Sequence, residues 1–170
     1  MKKVVEWIYS ESEDQKYRFL LGKKGKKMLV CCGVNPSTAH PDDLDPTMKR
    51  VESLSKKNGY DGYVMINLYP LRKTNPEHLP EARDRVISDI NMEIIKNLFR
   101  SFVGEIHIWA AWGTAVEKRA YLKECLQEIV SLAEAYDCKW YRMGDLTKEG
   151  HPRHPLYLSN DCKMELFKMK

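Results

Sequence analysis

The sequence predicts an α/β protein of one domain, with a mainly parallel sheet between helices on both faces, a three-layer α/β/α arrangement. Three observations carry this. Short apolar runs alternate with longer amphipathic stretches through the middle of the chain. The run "MLVCCGV" (28–34) is apolar on consecutive positions, as in a strand buried on both faces. The 170 residues, 43% hydrophobic and 31% charged, are enough for one core and hold no repeat or long linker.

The elements follow in order. "VVEWIYS" and "YRFLLG" read as strands that add an antiparallel edge or hairpin, and "GKKGKK" is the turn before the first core strand, 28–34. Asp45 can cap a helix and Pro46 suits its first position. Met48, Val51, Leu54 and Ser55 then recur at helical spacing, and Gly59 is the expected stop. "YVMINLY" (63–69) is the second core strand. A helix is expected over 82–102, with Val86, Ile90, Ile94 and Leu98 as its apolar stripe. "EIHIWAAWG" (105–113) is the third core strand, followed by a helix over 114–136 capped by Thr114. "CKWYRMG" (138–144) is the fourth, and the remainder is a loop with room for a short final helix.

Bulk properties exclude some classes. No apolar run approaches the roughly 20 residues that span a bilayer, and the start "MKKVVEWIYSESEDQ" lacks a signal peptide's continuous apolar core. A cytoplasmic location without membrane contact is expected. The five cysteines, Cys31, Cys32, Cys125, Cys138 and Cys162, are odd in number and form no CxxC pair, so they read as inert thiols. His40, His151, His154 and the aspartates show no ligand spacing, so neither a metal nor another cofactor is expected. A net charge of +4 permits contact with a polyanion without requiring it. Nothing specifies an oligomeric state.

Ligands of open α/β sheets bind beyond the carboxyl ends of the strands. The four segments that leave those ends carry Asn35, Ser37, Thr38 and Asp45; Asn67 and Arg72; Thr114; and Asp145, Thr147, His151 and His154. Pro36 restrains Asn35, so the amide is held at the strand mouth, where it can orient a water, read a base edge or simply organise the turn. The stretch His151-Pro-Arg153-His154-Pro is rigid and can aim an imidazole at a developing anion.

The segments "NPSTAHPDDLDPT", "GYVMINLYPLRKTNP", "AWGTAV" and "GHPRHPLYL" resemble a bacterial and phage family of unknown function, DUF1643, over about residues 15–160. The order of motifs also resembles the uracil-DNA glycosylase superfamily, which has a three-layer fold around a four-stranded parallel sheet. "GVNP" is similar to its first motif, "AAWGTA" to the end of its third strand, and "HPLYL" to its last motif. That resemblance implies that Asn35 orients water and that His154 bonds the departing base. It makes Asn67 a pocket contact and Tyr69, Trp112 or Tyr157 a stacking partner for a flipped base. Arg153 and the basic surface would meet phosphates of DNA or of a nucleotide. This chain has Ser37 and Thr38 where those enzymes usually have glycine, followed by Asp42, Asp43 and Asp45. Two other functions compete: a non-catalytic nucleic-acid-binding module, and a small-molecule hydrolase or transferase that uses the aspartate loop with a histidine.

Overall fold

The alternating pattern resolves, in a computed structural model that describes residues 4–169, into a seven-stranded mixed sheet and three α-helices. The strands are β1 (Trp7–Glu11), β2 (Arg18–Lys23), β3 (Met28–Gly33), β4 (Gly62–Asn67), β5 (Ile106–Ala110), β6 (Cys138–Met143) and β7 (Met164–Leu166). The helices are α1 (Pro46–Lys57), α2 (Arg85–Ser101) and α3 (Ala120–Glu134). The strand order is β1-β2-β4-β3-β5-β6-β7. Strands β4, β3, β5 and β6 are parallel neighbours, while β2 joins β4, β1 joins β2 and β7 joins β6 antiparallel.

The sheet is therefore wider by one strand, β7, than the expected parallel strands with an N-terminal antiparallel edge. The N-terminal hairpin extends one edge. At the other edge the tail forms β7 rather than a short helix, covering the open side of β6. Asn58, which ends α1, holds this tail by accepting from Met164 N–H at 3.0 Å.

Successive strand residues point to opposite faces, and β3 shows the consequence. Leu29 and Cys31 pack with Met48, Val51 and Leu54 of α1. Val30 and Cys32 pack with Ile95 and Phe99 of α2 and with Leu122, Cys125 and Ile129 of α3. Coverage of both faces explains the uninterrupted apolar runs. Burial also pushes the Cys31 and Cys32 thiols well up, so both stay protonated.

The α1 signals correspond to its geometry. Asp45 accepts from Met48 N–H at 2.9 Å, and Met48, Val51, Leu54 and Ser55 are its buried residues. The α2 stripe does not correspond. Val86 and Ile90 are exposed, and the buried face is Ser88, Asn91, Ile95 and Phe99. The polar members of that face have partners: Asn91 Nδ2 donates to the Asn67 carbonyl at 2.9 Å, and Arg83 donates to Ser88 Oγ. The expected helix over 114–136 is also divided. A 3₁₀ turn over Gly113–Glu117 comes first, Arg119 is extended, and α3 begins at Ala120, so Thr114 caps nothing. Among the described residues, no helix is long and apolar enough to cross a membrane.

Candidate functional site

The chain runs from β3 to β4 in one direction and then returns to β5 on the other side of β3. The loops leaving β3 and β5 diverge at such a reversal, and a crevice opens beyond the strand ends. A cavity of about 370 Å³ lies there, within the range of small-molecule sites. Segments following β3, β4, β5 and β6 all contribute to it.

The β3 exit is stitched to the β4 exit. Tyr69 N–H donates to the Val34 carbonyl, and Lys73 N–H donates to the Pro36 carbonyl, both at 2.9 Å. Asn35 completes the seam: its Nδ2 reaches the carbonyls of Pro36 (3.0 Å), Leu71 (3.3 Å) and Lys73 (2.8 Å). The amide therefore organises the loop and is also oriented by it. Its Oδ1 has no protein donor among the described residues, and Asn35 lines the cavity. Ser37 lines it too and shares a hydrogen bond with Thr74 at 3.0 Å.

His154 lies across the cavity wall. It precedes the 3₁₀ turn Pro155–Tyr157, and its Nδ1 accepts from Leu156 N–H at 3.2 Å. That bond assigns the proton of the neutral ring to Nε2, which has no protein partner among the described residues. Burial lowers the His154 pKa, opposed in part by the Asp45 carboxylate, so the neutral form prevails at neutral pH. Gly113 fixes the loop from the other side. It donates its N–H to the Pro152 carbonyl at 2.9 Å, and a Cβ built there would lie 3.2 Å from His154 Cβ. With φ at +60°, the position favours glycine for conformation as well as for space.

The remaining expected residues divide into two groups. Asp45, Trp112, Thr114, Arg153 and Tyr157 line the cavity. Asp45 is also the α1 cap, and Arg153 uses Nε on the Asp145 carbonyl at 2.8 Å. Tyr157 is 77% exposed at the mouth, its ring edge-on to His154 at 6.0 Å. Asn67 is buried behind the cavity-lining Gly33, where a Cβ would lie 3.1 Å from its Oδ1, and neither Asn67 side-chain atom has a partner.

The others sit elsewhere. Tyr69 is a core residue whose hydroxyl accepts from Asp84 N–H at 3.1 Å. Arg72 donates to the Ser37 and Ala39 carbonyls and to Tyr9, so it braces the loop from behind. His151 shares a hydrogen bond with Glu117 at 2.9 Å, and Thr38 is exposed outside the cavity. Asp42 and Asp43 are likewise exposed, in a tight turn where His40 and Asp43 bond each other's backbone and Asp42 has φ at +64°. The aspartate loop is therefore mostly a turn, and only Asp45 faces the cavity. Among the described residues, no group of three or more His, Cys, Asp or Glu could hold a metal ion.

The sequence reading missed Arg18. It begins β2, is only 2% exposed, and lines the cavity. Its signal was a charge inside the otherwise apolar run "YRFLL". Lys73 and Lys118 also line the cavity, so cations outnumber the single carboxylate, Asp45. No curated protein and no solved structure matches the chain. A family model described as a protein of unknown function, DUF1643, matches residues 18–156, and the chain therefore belongs to that family.

Proposed function

We propose that the cavity binds a nucleobase and hydrolyses its N-glycosidic bond, in DNA or in a nucleotide, on a three-layer fold of the uracil-DNA glycosylase type. The observation that carries this reading is His154: a half-buried neutral imidazole, its Nδ1 held by backbone and its Nε2–H unpartnered at a cavity wall. Such a donor suits a base carbonyl on which negative charge develops.

In this reaction the C1′–N bond breaks and its electron pair leaves with the base, whose carbonyl oxygen accepts from His154 Nε2–H. A water whose hydrogen is accepted by Asn35 Oδ1 adds through its oxygen to C1′ and gives its proton to the departed base anion. Three backbone carbonyls fix the Asn35 amide with its acceptor free, which is the polarity this role needs. Tyr157 and Leu156, both exposed beside the cavity, suit contact with a nucleic-acid strand. Five free cysteines fit a cytoplasmic setting.

Base release is the test. The protein is incubated with single- and double-stranded oligonucleotides and nucleotides carrying uracil, hypoxanthine or 5-modified pyrimidines, and abasic product is measured. Release that disappears in Asn35→Ala and His154→Ala is expected. Release that survives both substitutions, or no release from any substrate, refutes the assignment.

A further inference from the structure

We propose that Arg18 receives an oxyanion of the ligand, a carboxylate or a phosphate, in the wall of the cavity. The proposal rests on the cavity assignment made for base cleavage, and it concerns binding rather than bond breaking.

Arg18 is almost fully buried, and burying a guanidinium without a counter-charge is costly. Yet its contacts are few. Nη1 donates to the Ala39 carbonyl at 3.3 Å, Nη2 meets only the Met48 sulfur at 3.9 Å, and Nε is buried with no partner. No carboxylate forms an ion pair with it among the described residues. Asp45 acts on it only at longer range, while its own Oδ1 accepts from Met48 N–H, and the Arg72 cation nearby opposes it. Desolvation pulls the Arg18 pKa down to about 10, so the side chain still stays charged at neutral pH.

The vacant donors have a particular geometry. Nε and Nη2 share one edge of the guanidinium plane, the edge that takes a carboxylate or phosphate through two parallel hydrogen bonds. The flexible Met48 thioether covers this edge, and an entering oxyanion displaces it. Met48 and Thr47 line the same cavity from the first turn of α1, whose positive dipole end adds to the attraction. A neutral ligand would leave these donors unsatisfied. A ligand with an oxyanion at this point would supply the missing counter-charge.

The test uses the intact protein and matched ligands: uracil against orotate, and uridine against uridine 5′-monophosphate, with inorganic phosphate as the group without a base. Binding is measured by calorimetry, and the Arg18 Nε–H resonance is followed by NMR. The charged member of at least one pair is expected to bind about tenfold to a hundredfold tighter. The Arg18 resonance shifts with it, and Arg18→Met abolishes the preference. A preference for orotate places the anion on the base; a preference for the nucleotide identifies a phosphate. If Arg18→Met fails to fold, the resonance in the unaltered protein decides. No shift with phosphate, orotate or the nucleotide overturns the proposal, as does a preference that survives Arg18→Met. Base release without anion preference would remove this inference and leave the glycosidic reading intact. Anion preference without base release would do the reverse.

Discussion

Arg18 and Arg72 both donate to the Ala39 carbonyl, at 3.3 Å and 3.1 Å, yet their other donors differ. Arg72 also reaches the Ser37 carbonyl at 2.7 Å and the Tyr9 hydroxyl at 2.8 Å, with Glu11 at 3.5 Å as counter-charge. Arg18 has only a thioether besides Ala39. Nε is unpartnered in each, so the distinction lies in the terminal nitrogens and the carboxylate. One arginine completes the protein, and the other is left incomplete beside a cavity. The residue type is shared, and the partners of each side chain are what separate support from recognition.

The largest expected effect breaks the supporting side of this comparison. Arg72→Met should cost about 2–4 kcal/mol of stability, measured by chemical denaturation, because it removes the hydrogen bonds to the Ser37 and Ala39 carbonyls and the Tyr9 hydroxyl together with the counter-charge of Glu11. Arg18→Met should have the opposite sign. An apolar side chain of similar length in place of an unpaired buried cation should raise stability by about 1–3 kcal/mol. A loss comparable to that of Arg72→Met would make Arg18 a structural residue. Asn35 combines both habits, with Nδ2 used and Oδ1 free. Asn35→Ala should cost about 1–2 kcal/mol from the lost loop bonds and should also abolish base release. The smallest effect is in pH. The His154 pKa is lower folded than unfolded, so the unfolded chain binds the extra proton first as pH falls. This residue's contribution should be fully present above about pH 6.5 and decline as pH falls towards its folded pKa. A flattened pH dependence of the denaturation midpoint in His154→Ala checks this.

Much of the fold was legible because it rests on local signals. Asp45-Pro46 and the spacing of Met48, Val51 and Leu54 specify α1 without knowledge of its neighbours. The α2 face was not legible, since Ser88 and Asn91 are buried through partners on Arg83 and β4, which an apolar count does not register. Thr114 resembled a cap because the sequence carries no strong mark of the break at Arg119. The strand-end loops were legible as neighbours, and Asn35 and His154 do line one cavity. Arg18 lay outside that search because it starts an edge-side strand, and only the three-dimensional placement of β2 beside β4 brings it to the rim. Tyr69 and Arg72 left the list for the converse reason: their side chains point behind the loop rather than into the opening.

The seam between the β3 and β4 exits also bears on how a ligand is met. Asn35 and the backbone bonds from Tyr69 and Lys73 leave little freedom on that side of the opening. The ordering entropy of this wall is therefore lost when the chain folds, and not again when a ligand arrives. Selection among ligands then falls to shape and charge already in place, with fast association for those that fit and little accommodation for those that do not.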